Sequence, residues 1–159
     1  MAMKQKDMDK ILEIGVLLSS ERDLSRLLEK ILSSVMELTR SDGGTLYLLD
    51  EDCLRFKIMY NHTLGTYEGG DGKDPDFPPV PLNREHVCAL SLIEDRAIIV
   101  DDVRACREYD FSGPIRYDAL MGYHTQSMLV VPMRNREGRK IGVLQMINAL
   151  DEEGKVCPF

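Results

Sequence analysis

Apolar side chains recur along this chain in two rhythms, and the switches between them divide it into helices and strands. Leu24, Leu27, Leu28, Ile31, Leu32, Val35 and Met36 follow one another at intervals that line one face of a helix. Upstream, Met8, Ile11, Leu12, Gly15 and Leu18 fall near one face and predict a first helix over Met8 to Leu18. Between the two, Ser19-Ser20-Glu21-Arg22-Asp23 supplies capping and acidic residues suited to a helix start. The helical rhythm ends near Thr39 to Gly44, where Gly43 and Gly44 are expected to release the backbone.

The rhythm then shortens. Thr45 to Leu49 reads as a strand, Asp50-Glu51-Asp52 as a turn, and Leu54, Phe56, Ile58 and Tyr60 alternate with Arg55, Lys57 and Met59 as in a half-buried antiparallel strand. Asn61 to Pro81 has no periodicity and is rich in Gly and Pro, so it reads as a long loop suited to a lid or a binding excursion. Asn83 can cap a short helix over Arg84 to Glu94, Ala97 to Val100 is expected to be a compact buried strand, and Pro114 opens a brief helix over Ile115 to Tyr123. Strands over Ser127 to Arg134 and Ile141 to Ala149, joined by a turn at Gly138, close the chain. Helix pair, hairpin, helix, strand, helix and hairpin make an α+β domain on a mainly antiparallel sheet.

Composition narrows the function. A chain of 159 residues is one domain's worth. Its net charge of −7 argues against a nucleic-acid partner, because phosphate binding needs clustered Lys and Arg. No apolar run approaches the roughly 18 residues of a membrane span, and no secretory signal opens the chain, so the expected location is the cytoplasm. Cys53, Cys88, Cys106 and Cys157 form no Cys-x-x-Cys pair and read as reduced, packed thiols. His86-Val87-Cys88 makes a poor zinc site, and Asp71, Asp74 and Asp76 do not have the spacing of a calcium loop. Neither a metal nor a cofactor is expected.

Three phrases, "SDGGTLYLLDED", "EDRAIIVDDV" and "TQSMLVVPMRNREGRKIGVLQMINA", resemble the GAF domain family of ligand-binding sensory and dimerisation modules. The resemblance runs from about Ser20 to Phe159. It implies a GAF-like, PAS-related, six-stranded antiparallel sheet with helices on both faces. Residues 1–19 would then be an N-terminal helix serving as linker or dimerisation element, and residues 20–159 a GAF domain without its C-terminal helix. An effector such as a histidine kinase, cyclase or phosphodiesterase would be attached, and the module would form a homodimer through its helices. The subgroup beside cyclic-nucleotide phosphodiesterases carries Asn-Lys, then Phe, then Asp-Glu. Asn148 and Phe159 match, Ala149 replaces the Lys, and the Asp-Glu would fall past Phe159.

The resemblance places a small-molecule pocket between the sheet and the segments joining its middle strands. It selects Tyr117, Asp118, Thr125 and Gln145 as ligand-binding candidates, with His86 and His124 behind them. Plainer roles stand beside these: Asp118 as a helix cap, Thr125 as a strand starter, Asn148 as a turn former. Gln145 shares a strand face with Ile141, Val143 and Ile147, where a buried amide must find hydrogen-bond partners. The expected function is a non-catalytic sensor that binds a small molecule, a cyclic nucleotide among the candidates, and controls an attached effector.

Two alternatives remain. One is a ligand-free dimerisation scaffold. The other is an enzyme like the family's free methionine-(R)-sulfoxide reductases, whose Val-Cys-Gly compares with Val87-Cys88-Ala89 here. Their second cysteine position is Tyr117 in this chain, and a phenol does not replace an attacking thiolate. No catalytic residue is assigned.

Overall fold

The computed structural model describes residues 21–70 and 73–159. The helix expected over Met8 to Leu18 lies outside these residues, as does Asp71. The described chain opens with α1 (Glu21–Thr39), followed by β1 (Ser41–Asp50), β2 (Cys53–Asn61), β3 (Thr66–Gly69) and β4 (Val80–Pro81). Then come α2 (Val87–Glu94), β5 (Ile98–Val100), α3 (Ser112–Met121), β6 (Met128–Arg134), β7 (Lys140–Leu150) and β8 (Val156–Cys157).

The main path of the sheet runs β3-β2-β1-β7-β6-β5, antiparallel throughout, with β4 paired to β2 and β8 to β7. This is the expected α+β architecture, with two short strands added to the six of the main path. Both β3 and β4 lie within the Asn61 to Pro81 stretch that the sequence reads as a loop; at four and two residues they are too short to show a period.

Helix α1 buries the predicted stripe: Leu28, Ile31, Leu32, Val35 and Met36 pack with Leu46, Ile58, Met133, Leu144 and Met146. It ends at Arg40, whose left-handed φ of 53° turns the chain directly into β1. Gly43 and Gly44 are therefore strand residues rather than the helix stop. A Cβ on Gly44 would sit 2.9 Å from Leu32 Cδ1 and Met36 Sδ, so the glycine lets helix and strand close together.

Two irregularities change which face side chains occupy. Between β1 and β2 the register runs Leu46 to Ile58 and then Tyr47 to Phe56, leaving Lys57 as an extra residue. Such a bulge turns the strand over. Leu54 and Phe56 therefore face one side and Ile58 and Tyr60 the other, instead of the single face that alternation predicts. A second shift, between Met133 and Arg134, sets Ile141 in a bulge of β7. Ile141 consequently joins the α1 side, away from Val143 and Ile147.

On the opposite side, α2 presents Val87, Cys88, Ala89, Leu90 and Leu92 to Val130 and Val143 of the sheet. Asn83 does not cap α2 itself. Its Oδ1 accepts from the Glu85 and His86 N–H groups, in the turn before a helix that begins at Val87. Helix α3 starts at Ser112, three residues earlier than its apolar pattern suggests, and buries a single residue, Asp118.

Candidate functional site

Gln145 and Ile147 stand near the end of β7, a strand paired on both sides, yet both are half-buried rather than enclosed. Gln145 is flanked by Thr45 and Val130, which are buried. The floor is made close-fitting by Gly43, where a Cβ would lie 2.8 Å from Ile147 Cγ1. An amide and an aliphatic side chain thus remain accessible in the middle of the sheet, on the side of α2 and α3.

Asp118 is 3% exposed, although the helix that carries it is otherwise exposed or half-exposed. Its carboxylate accepts from the Thr125 N–H (2.8 Å) and hydroxyl (2.9 Å), and from the Arg104 guanidinium. Charge-assisted bonds of this kind hold a helix that has little apolar surface to bury. Asp118 and Thr125 are therefore bonded to each other, and the Asp118 cap reading is replaced by a tether across the α3–β6 connection. Arg104, which completes the cluster, is not singled out by sequence reasoning; it sits in an irregular segment where no periodicity points inward.

Tyr117, one residue away, turns toward a different neighbour. Its ring meets Phe77 edge-on at 5.9 Å, Phe77 lies 5.2 Å from Phe56, and Phe56 lies 4.7 Å from Tyr47. This file of rings carries the Asn61 to Pro81 segment onto the sheet. Burial raises the Tyr117 phenol above its ordinary range. His86 is half-buried at the N-cap of α2, while the His124 ring is exposed. Neither histidine makes a side-chain bond to the Asp118 cluster.

A second polar node lies beside the first. The Tyr123 hydroxyl donates to Asp42 Oδ2 (2.6 Å) and accepts from Asn148 Nδ2 (2.9 Å). Asn148 also donates to the His124 carbonyl (2.8 Å) and accepts from the Gln126 N–H (2.7 Å), from a backbone with a left-handed φ of 56°. The conformation is one that Asn tolerates better than most residues. Asn148 therefore lies within β7 rather than in a turn, and its side chain pins the 123–126 segment to the sheet. Burial, then the nearby Asp42 carboxylate, push the Tyr123 phenol upward. Asp42 hides in the sequence as a residue of an apparent helix stop.

Cys88 is 5% exposed, and burial pushes its thiol up to about 12. At neutral pH it is a protonated, apolar-packed group rather than a thiolate. Cys106 is half-buried against the same core. Among the described residues, no three His, Cys, Asp or Glu side chains gather to hold a metal ion.

A separate open cleft of about 320 Å³ lies where the end of α1 meets the β7–β8 turn, lined in part by Glu37, Arg40, His62, Asp151 and Glu152. Its Arg40 guanidinium already donates to the Asp151 carbonyl at 3.0 Å. Its walls mix these charged groups with Met36 and Leu150 and stand open to solvent, unlike the mostly apolar enclosures that hold small molecules.

A family model described as GAF domain matches residues 21–154. Among solved structures, a type II free methionine-R-sulfoxide reductase from Thermoplasma acidophilum is similar at 18% identity, over 94% of this chain and 82% of that one, with a TM-score of 0.55. The GAF domain of a phosphoenolpyruvate-protein phosphotransferase from Coxiella burnetii gives 15%, 95%, 85% and 0.57 for the same measures. The GAF domain of a two-component sensor histidine kinase from Bacillus halodurans gives 16%, 76%, 73% and 0.53. At these identities the likeness speaks to fold, since one fold hosts many activities.

Proposed function

Because the chain belongs to the GAF domain family, we propose that it is a non-catalytic regulatory domain which binds a small molecule over Gln145 and passes the change to an attached effector. The observation that supports this reading is the half-buried Gln145 and Ile147 on a strand paired at both edges, on the face of the sheet against which α2 packs. A binding site needs a few directed polar groups in an apolar surround. Gln145 supplies one and half-buried Ile147 an apolar neighbour, on a floor packed solid by Val130 and Val143.

Mechanistically, the ligand acts by binding one arrangement of α3 and the 123–126 segment more tightly than another, and the output changes by no more than that difference. Asp118 and Thr125 hold that arrangement, and the Tyr123–Asn148–Asp42 node joins it to the start of β1 and the end of β7. Thermal-shift screening against cyclic nucleotides and other small metabolites tests the reading, because a ligand selective for the folded state raises its apparent stability. At least one compound is expected to raise Tm with a saturable concentration dependence. A scaffold without ligand would give no such compound.

The reductase reading has one point in its favour, the presence of Cys88 and Cys106 in one apolar core cluster. Against it stands the protonated Cys88 thiol, since attack on a sulfoxide requires the thiolate. Incubation with free methionine sulfoxide and a dithiol is expected to give no turnover; turnover lost in Cys88→Ser would establish the enzyme.

A further inference from the structure

The main path of the sheet ends on two edge strands, and the two edges differ in kind. An edge strand offers a row of unpaired N–H and C=O groups to any strand that meets it, and proteins guard such edges with charged side chains, Pro or bulges. Strand β3 is guarded: it carries the exposed Glu68 and ends on Gly69, whose φ of 89° turns the backbone out of the strand. Strand β5 is not. Its residues are Ile98, Ile99 and Val100, all β-branched and suited to an extended backbone. It pairs with β6 on one side, and among the described residues no strand meets its other side. Ile98 and Val100 are buried, but Ile99 is 56% exposed rather than enclosed as its apolar run suggests.

The charges around β5 are symmetric about Ile99. Arg96 stands three residues before it and Asp102 three residues after, with Asp101 adjoining. All three are exposed, and so is Ala97 between them. We propose that β5 pairs antiparallel with β5 of a second copy, across a two-fold axis at Ile99. This register sets Ile99 opposite the partner's Ile99, Ile98 opposite the partner's Val100, and Arg96 opposite the partner's Asp102, the last two contacts occurring twice. Opposite charges facing each other across strands are favourable, and like charges are not.

The charge pattern selects both the occupant and the register. A parallel pair would set Arg96 beside its own copy and the two acids beside theirs. A slip of two residues would set Arg96 opposite Val100 in one direction and opposite Arg104 in the other. Arg96 has donors to spare: its present partner, Glu94, is shared with Arg84, and a guanidinium carries five N–H groups. Bends at Arg96 and Asp101 end the extended run, so the paired stretch is short and the long Arg96 side chain makes the reach to the acids. The contact is isologous and closes at two copies. It covers Ile99 on the α1 side of the sheet, beside its cross-strand partner Leu129. The proposal stands independently of any ligand over Gln145, which lies on the other face.

Oxidative cross-linking of the full chain tests it. Cys53, Cys106 and Cys157 are replaced by Ser, buried Cys88 is kept, and Ile99→Cys places one thiol on the axis. Residues directly opposite in an antiparallel pair have Cα atoms about 4.5–5.5 Å apart, within the span of a disulfide. Covalent dimer is expected to form at least about tenfold faster from Ile99→Cys than from Glu68→Cys on the other edge strand, because pairing raises the effective concentration of the thiols. Equal rates overturn the proposal. Arg96→Glu is expected to slow the cross-link, and adding Asp102→Arg to restore it, since the exchange inverts the ion pairs without removing them. A rate indifferent to both changes also overturns it. In the parent chain, amide exchange over residues 97–101 is expected to slow as concentration rises while that over residues 66–69 does not. A dimer held elsewhere would leave residues 97–101 exchanging at one rate throughout, which contradicts the pairing.

Discussion

Asp118 holds α3 by hydrogen bonds where a longer helix would use an apolar stripe. Removing the carboxylate strands the Thr125 hydroxyl and N–H and takes away the partner of Arg104. Asp118→Ala is expected to cost roughly 2–4 kcal/mol in urea unfolding, the range for breaking a buried charged contact and leaving its partners unmet. Asp118→Asn keeps an acceptor for Thr125 and is expected to cost clearly less. Equal losses would mean that volume rather than hydrogen bonding holds the helix.

Cys88 offers a test by pH. An unfolded thiol ionises near 8.5, whereas burial pushes this one up to about 12. The stability gained from keeping it neutral is present in full below about pH 8.5 and is lost as the pH rises through about 12, because the unfolded state releases its proton first. Burial raises the Tyr47 and Tyr123 phenols in the same direction, and their contribution falls away only above about pH 10. Between those pH values Cys88→Ala is expected to flatten the stability profile; an unchanged slope would place the thiol in a wetter setting.

At the scale of elements, the strands were legible where alternation is regular and misleading where a bulge intervenes. Lys57 and Ile141 are ordinary strand residues in type, so nothing local marks the turnover of β2 and β7. Gly142, beside the second bulge, is the nearest thing to a signal. A Cβ there would lie 2.1 Å from the Tyr47 carbonyl oxygen, a backbone atom with nowhere to move. The Cβ added at Gly44 would meet the ends of Leu32 and Met36, which can shift.

Gly142→Ala is therefore expected to destabilise by about 3 kcal/mol or more and Gly44→Ala by about 1–2, read from denaturant midpoints. The reverse order would contradict the close pairing of β1 with β7. The helical stripe of α1 was fully legible, because burial against a sheet is what its spacing encodes. Arg104, Asp42 and Tyr123 were not, because polar groups buried by long-range bonds leave no periodic trace.

For the whole molecule, the sheet is a plate with two differently used faces. One carries α1, beside which Leu129 and Val131 of β6 remain half-buried. The other carries α2, the aromatic file from Tyr47 to Tyr117, and the accessible Gln145. The node at Asn148 ties residues 123–126 to the start of β1 and the end of β7, and the Asp118 node ties α3 to the same segment.

The direct test is calorimetric titration of the domain with a compound that raises its Tm, repeated on Gln145→Leu. That substitution preserves volume and removes the directed polar group. The account predicts saturable binding to the parent domain and at least tenfold weaker binding to the variant, a difference of about 1.4 kcal/mol. Equal affinity for both, or no compound that binds the parent domain, would contradict a small-molecule site over Gln145.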